Sequence, residues 1–164
     1  TSHEGEPVVL GVLVTSDLEP AAEEVRDAVA GRDRFLSRPL QVRVEVAACD
    51  PVEGTEAARQ LATDPLDEAP AFAVIAAACP RVLLPVAQIL GDSAIPLVTV
   101  TPPGATPRNP RSLLDGSSAD GAGNLATLVL ETAEGLAVES EEDLLVPRIP
   151  LIRALEARGL PRAD

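Results

Sequence analysis

The stretch "PVVLGVLVTSD" (residues 7–17) decides the fold of this chain. It begins with a continuous apolar run rich in valine, which predicts a strand buried on both faces of a parallel sheet. The segment "EPAAEEVRDAVAG" (residues 19–31) then predicts a helix, because Pro20 lies in its first turn, acidic residues come early and Gly31 follows as a stop. A buried strand that leads directly into a helix is the beginning of a βαβ unit.

The alternation of strands and helices continues as far as Pro102. The second strand alternates apolar and polar residues, which predicts a position near an edge of the sheet. Asp50 is the expected cap of the second helix, and Pro85 is expected to bend the third helix or to shorten its start. This order predicts an α/β fold, a three-layer α-β-α sandwich with a mostly parallel sheet. The further strands are predicted at residues 39–49, 71–79 and 95–102, and the further helices at residues 50–62 and 80–92.

The pattern changes in the last third of the chain. Residues 101–112 are rich in proline and predict a long loop, and residues 111–118 do not predict a convincing strand. A helix is predicted at residues 117–139 with Ser118 or Asp120 near its cap, and a last one at residues 150–158, ended by Gly159 and Pro161. Without an internal repeat or a linker, residues 1–164 are expected to form one α/β domain that includes the C-terminal helices within 118–160.

Composition excludes several classes of function. The net charge is −13, which argues against nucleic-acid binding because affinity for phosphate backbones comes from clustered positive charge. All 13 basic residues are arginine, so there can be no P-loop lysine, Schiff base or Ser–Lys pair. The one histidine, His3, lies in a polar tail, and no apolar run reaches the roughly 18 residues of a membrane span. No cofactor is predicted.

The two cysteines, Cys49 and Cys79, each follow an apolar run and precede a turn that contains proline. A structural zinc needs about four ligands and a cysteine nucleophile needs a nearby base, and the chain supplies neither. A disulfide fits better. With the strand order 2-1-3, the second and third strands, which carry the cysteines, would lie about 9.6 Å apart on either side of the first strand. Because the Cα atoms of a disulfide lie within about 7 Å of each other, the loop ends would have to curl over the end of the first strand. Two buried free thiols are the alternative, and they would favour the cytoplasm.

Two short motifs suggest ligand sites. "GAGNLA" (residues 121–126) matches the G-x-G-x-x-G/A dinucleotide fingerprint, but that motif must follow a buried strand, and small residues that let a helix start pack closely are the simpler interpretation. "TSD" (residues 15–17) follows the first strand, at the carboxyl edge where open α/β sheets place their ligands. The hydroxyls of Thr99 and Thr101 are expected to face the same crevice. The alternative interpretation of "TSD" is a turn with a helix cap.

The order and spacing of three segments resemble the first lobe of the type 1 periplasmic solute-binding proteins, which include the branched-chain amino-acid receptors. The segments are "VVLGVLVTSD", "RPLQVRVEVAACDPVEGTEAARQLA" and "FAVIAAACPRVLLPVAQILGDSAIPLVTVTPPGATP", and the resemblance covers about residues 7–107. It implies a Cys49–Cys79 disulfide, hence an extracytoplasmic location, and a binding module related to ABC transporters. It also carries over possible ligand contacts at Thr15, Ser16, Pro80, Thr101 and Thr106.

The chain departs from that family in length and at the expected ligand contacts. Members bind ligand between two lobes, and only one lobe is visible here, so a homodimer or a partner protein is expected to supply the second wall. Pro80 replaces a common hydroxyl, and Pro103 and Ala105 replace common polar contacts. The leading hypothesis is a non-enzymatic module for a small polar, amino-acid-like ligand. A ligand-free protein-docking module is the alternative, and a hydrolase or transferase using Ser16 and Asp17 comes third.

Overall fold

A computed structural model describes residues 8–30, 39–62, 71–100, 113–115, 121–140 and 148–160. Strands and helices alternate through most of this part of the chain. A short 3-10 turn over Ser16–Leu18 joins the first strand to the first helix. The strands are β1 (Val8–Val14), β2 (Leu40–Val46), β3 (Ala73–Ala77), β4 (Leu97–Thr99) and β5 (Leu113–Asp115), and the helices are α1 (Glu19–Ala30), α2 (Pro51–Ala62), α3 (Pro80–Asp92), α4 (Ala122–Ser140) and α5 (Arg148–Ala157).

The five strands form one sheet in the order β2-β1-β3-β4-β5, and every pairing between them is parallel. The predicted parallel sheet and its 2-1-3 order are therefore confirmed. All seven residues of β1 are buried, as the valine-rich run predicts, whereas β2 is only half-buried and lies at an edge. This edge position confirms the prediction from its alternating sequence.

Helices cover both faces of the sheet, so the predicted three-layer arrangement is confirmed. One core lies between the sheet and α1, α4 and α5, and it includes Val12 and Leu125. The other core lies between the sheet and α2 and α3, and it includes Leu13 and Leu83. Successive residues of β1 belong to opposite cores because side chains alternate across a strand.

Three predicted features of the elements differ from the structure. β5 exists although its sequence does not predict a strand, because pairing with β4 and complete burial of Leu114 stabilise a segment of three residues. Pro85 does not shorten α3, which begins at Pro80 and continues through it. The start predicted for α4 at Ser117 is wrong, because Gly121 has a φ of 104° and α4 begins after it. The predicted caps of α4 lie outside the described residues.

None of the helices within the described ranges combines the length and the apolar character that a membrane crossing requires.

Candidate functional site

The candidate site lies at the carboxyl edge of the sheet, where β2, β1 and β3 end side by side. The backbone N–H of Thr15 donates to the carbonyl of Ala77 over 3.2 Å, and the N–H of Ala47 donates to the carbonyl of Val14 over 2.9 Å. These bonds extend the two ladders of β1 by one residue. Thr15 therefore lies between the chain segments that lead into α2 and α3, which is where ligands bind in open parallel sheets.

A disulfide joins Cys49 to Cys79 across this edge, with 5.6 Å between the two Cα atoms. Because β1 lies between β2 and β3, the bond passes over the end of β1, as the expected curl of the two loops requires. The bond confirms the predicted pairing. Both cysteines of the chain are used in it, so neither is a thiol nucleophile or a metal ligand here. Within the described ranges, no group of three or more His, Cys, Asp or Glu side chains could hold a metal ion.

Thr15 carries a buried hydroxyl at the end of β1. The residue is only 3% exposed, and its Oγ1 has no hydrogen-bond partner in the described part of the protein. Its backbone is extended, so by strand alternation it lies on the same face as Leu13, beneath α2 and α3. A buried hydroxyl without a partner costs about 1–3 kcal/mol, so Thr15 is a polar group that a ligand or a water would satisfy.

The other predicted contacts differ in exposure. Ser16 and Pro80 are exposed and lie at the same edge as Thr15, because β1 and β3 are neighbours. Thr101 and Thr106 lie outside the described residues. Thr99 is fully buried at the end of β4, and the expectation that its hydroxyl faces the same crevice as Thr15 stays a prediction.

The helices that begin at this edge differ in how their first turns are capped. In α2, Asp50 Oδ1 accepts the N–H of Val52 over 2.9 Å, and Glu53 Oε2 accepts the N–H of Ala48 over 3.1 Å. The prediction that Asp50 caps α2 is therefore confirmed. In α3, the cap residue Cys79 makes no side-chain cap bond, and no acidic residue lies in the first turn.

The uncapped start of α3 and the exposed Arg81 in its first turn are features that the sequence analysis missed. Pro80 has no N–H, and the N–H groups of Val82 and Leu83 donate to the carbonyl of Cys79, so the N–H of Arg81 is the backbone donor left at this start. Its guanidinium adds a positive charge that attracts oxygen atoms. The signal that could have found them was the change from acidic residues after Cys49 to Pro80 and Arg81 after Cys79. The start of α3 can therefore accept a polar or anionic oxygen beside Thr15.

The "GAGNLA" segment lies on the other side of the sheet, at the start of α4. A strand does precede it, so the ground on which the dinucleotide fingerprint was set aside is wrong. A different observation disfavours that site: the carboxylate of Glu24 in α1 accepts the N–H of Ala122 over 3.2 Å. This carboxylate would repel the negative charge of a pyrophosphate. A Cβ on Gly123 would lie 3.0 Å from the carbonyl oxygen of Glu24, so the small residues allow close packing of two helices.

Comparison with known proteins identifies the fold. No protein-family model and no curated protein matches the sequence. Among solved structures, a leucine-binding protein from Thermotoga maritima is similar with a TM-score of 0.54 and 16% identity, over 94% of this chain and 47% of that one.

Two proteins from Rhodopseudomonas palustris have similar structures. An extracellular ligand-binding receptor has a TM-score of 0.52 and 15% identity, over 96% of this chain and 45% of that one. The solute-binding protein of an ABC transporter, in complex with 4-hydroxybenzoate, has a TM-score of 0.52 and 13% identity, over 96% and 45%. The chain thus spans less than half the length of these proteins. The structural similarity over nearly the whole chain, together with the sheet described above, shows that this chain has the fold of a single lobe of the type 1 periplasmic binding proteins.

Proposed function

We propose that this chain is an extracytoplasmic module that binds a small polar, amino-acid-like ligand at the carboxyl edge of its sheet. The observation that carries the proposal is the buried hydroxyl of Thr15, which has no partner in the described residues and lies at that edge. The start of α3 supports it, because the backbone N–H and the guanidinium of Arg81 there would suit a carboxylate. Ser16, Pro80, Thr101 and Thr106 complete the proposed set of contacts.

The proposed module needs a second wall. A single sheet edge encloses little of a small ligand, whereas ligand sites commonly bury most of the ligand surface. The structural neighbours are about twice as long as this chain or longer, and they are binding proteins. We infer that a partner chain, either a second copy or another protein, closes the site. The chain would act in this complex as one α/β domain.

An extracytoplasmic location is favoured by the disulfide between Cys49 and Cys79, since such bonds persist in oxidising compartments. The neighbours also include an extracellular receptor. The proposed module acts by binding and not by turnover. Acid–base and nucleophilic catalysis most often use histidine or lysine, and the chain has one histidine and no lysine.

A ligand-free docking module is the second candidate, and exposed apolar side chains favour it. Leu18, Val46 and Val52 are 41%, 50% and 75% exposed. All three lie close to the carboxyl edge of β1 and β2, where a protein partner would cover them. These three side chains would mark an interaction site if together they form one apolar patch. This candidate predicts that no small metabolite binds.

Calorimetry with a panel of amino acids and other small polar metabolites tests the proposal. We expect Thr15→Val to weaken binding by about 1 kcal/mol or more, the usual scale for a lost buried hydrogen bond. The same substitution should raise the free energy of unfolding of the ligand-free protein by about 1 kcal/mol, because valine removes an unsatisfied hydroxyl without changing the shape. Weaker ligand binding together with a higher free energy of unfolding would indicate a hydroxyl that a ligand, and not the protein, satisfies.

Thr132→Val is the matched control. Thr132 is also 3% exposed, and its Oγ1 also has no partner in the described part of the chain, but it lies within α4. This variant should gain similar stability and bind every ligand as the wild type does. Ligand affinity that Thr15→Val leaves unchanged would refute the site assignment. Absence of binding across the whole panel would favour the docking module instead.

A further inference from the structure

The outer edge of β2 is open in the described part of the protein. β2 pairs with β1 on one side, and no described strand pairs with its other side. The strand is seven residues long, and its sequence LQVRVEV contains no proline, glycine or lysine. Natural edge strands are commonly protected by proline, by charged side chains, by bulges or by shortness, because unpaired N–H and C=O groups pair readily with another strand. The two charged residues of β2, Arg43 and Glu45, have opposite signs. An edge of this kind is suited to a partner strand.

The ladder between β1 and β2 shows which backbone groups face outward. At its two ends, the carbonyl of Pro39 accepts the N–H of Val8, and the N–H of Ala47 donates to Val14. The odd-numbered residues of β2 therefore direct their N–H and C=O groups toward β1. Since these groups alternate along a strand, Leu40, Val42, Val44 and Val46 direct theirs toward the open edge.

We propose that a second copy of this chain pairs with this edge, through an antiparallel β2–β2 contact on a two-fold axis at Val44. The two Val44 residues would then exchange backbone hydrogen bonds, and Val42 would pair with the partner's Val46 in the same way. In this register, each backbone N–H and C=O group that Val42, Val44 and Val46 direct toward the open edge has a hydrogen-bond partner on the second copy. Val46, which is 50% exposed in the single chain, would be covered by an apolar neighbour.

The charges on β2 favour this register, because no other two-fold axis on the strand places Arg43 opposite Glu45. With the axis at Val44, Arg43 lies opposite the partner's Glu45, and the same contact occurs twice by symmetry. A shift of the axis to position 43 would place two arginines opposite each other, and a shift to position 45 would place two glutamates opposite each other. Opposite charges on facing residues stabilise an antiparallel pair and like charges destabilise it.

Arg43 can take part in this contact while it keeps its contact within the chain. Its Nη2 donates to the carbonyl of Gln60 at the end of α2 over 3.0 Å, and its Nη1 is buried. The contact with the partner's Glu45 therefore rests on the attraction of opposite charges on facing residues and does not need a new guanidinium hydrogen bond. The complementary pairs also matter for the whole molecule, because two copies that each carry a net charge of −13 repel one another. Self-association therefore needs a contact in which charges of opposite sign face each other.

The proposed contact is separate from the ligand site. An antiparallel pairing directs the carboxyl edges of the two sheets away from each other, so this copy would not cover Thr15. The inference therefore does not rest on the proposed function, and each can fail without the other. The partner that closes the ligand site would occupy a different surface.

Sedimentation velocity over a concentration series tests the contact. We expect a reversible dimer for the wild type, and Arg43→Glu or Glu45→Arg alone should weaken it at least about tenfold, because each makes both charge pairs repulsive. An equimolar mixture of the two variants should form a heterodimer of nearly wild-type affinity, since opposite charges again face each other. This recovery depends on the register and cannot result from a general change in stability.

Val46→Lys extends the test to the apolar pairs. It should weaken the dimer at least about tenfold, whereas Val52→Lys, at an exposed valine in the first turn of α2, should leave it unchanged. If circular dichroism shows that Arg43→Glu does not fold, Glu45→Arg and Val46→Lys are sufficient to test the contact. A monomer at every concentration would overturn the proposal. So would a dimer that the β2 variants do not weaken, or folded single variants whose mixture remains monomeric.

Discussion

Two glycines in helix interiors have opposite roles at the residue scale. A Cβ on Gly54 in α2 would overlap Cγ1 of Val82 in α3, whereas a Cβ on Gly135 in α4 would meet nothing within 4 Å. We expect Gly54→Ala to lower the free energy of unfolding by about 1–3 kcal/mol through overpacking. Gly135→Ala should raise it by about 0.5–1 kcal/mol, because alanine is the better helix former. Urea denaturation of both variants measures the difference.

The combination of Gly54→Ala with Val82→Ala provides the control for this prediction. Removing the valine methyl groups makes space for the new Cβ, so part of the loss from the first substitution should be recovered. A Gly54→Ala variant as stable as the Gly135→Ala variant would contradict the close approach of α2 and α3.

The sequence predicts the site only at the level of position. Strand ends and the two cysteines could be located from the apolar runs, because these runs are local patterns. That the Thr15 hydroxyl is buried without a partner, and that Thr99 is fully buried, could not be predicted from them. Burial at this edge depends on how segments from distant parts of the chain pack over it, and no local pattern records that.

At the element scale, the side chain of Glu24 in α1 caps the start of α4. Its carboxylate accepts the N–H of Ala122 across a sequence separation of 98 residues. A negative charge at a helix start is favourable, and loss of such a cap costs about 1 kcal/mol. We expect Glu24→Ala to lower the free energy of unfolding by that amount and Glu24→Gln, which keeps an acceptor, by less. Chemical denaturation of both variants is the measurement.

Glu23→Ala is the control for Glu24. Glu23 is a neighbouring exposed carboxylate in α1, and it forms an ion pair with Arg26 at 3.1 Å between exposed side chains. Such pairs contribute little, so this variant should remain within about 0.5 kcal/mol of the wild type. Equal losses at positions 23 and 24 would indicate a general effect of negative charge in α1 and would contradict a specific role at α4.

The elements that the sequence predicts best are those with long periodic patterns. β1 to β4 and α1 to α3 were all predicted in the correct order, because buried valine-rich runs and amphipathic helices are strong local signals. β5 was missed because three residues are too few for a period to be seen. The start of α4 was misplaced because Gly121 adopts a left-handed conformation that packing against α1 selects.

On the scale of the whole molecule, the disulfide links the two halves of the sheet edge on either side of β1. It joins Cys49 to Cys79 over a sequence separation of 30 residues. A bond of this span restricts the unfolded chain, and the chain-entropy model gives about 3–4 kcal/mol of stabilisation. We expect the double variant Cys49→Ala/Cys79→Ala to lose roughly that free energy of unfolding. A reducing agent should destabilise the wild type and leave the double variant unchanged.

The same bond connects stability to the compartment in which the protein works. A disulfide that contributes several kcal/mol in an oxidising compartment would be lost in the cytoplasm, where thiols are kept reduced. Titration of the thiols in the unfolded protein, purified without reductant from an oxidising compartment, should therefore find neither Cys49 nor Cys79 free. Two reactive thiols would remove the covalent link over β1 and the main structural support for an extracytoplasmic location. The sheet order would remain, because the burial of β1 between two helical layers does not depend on the bond.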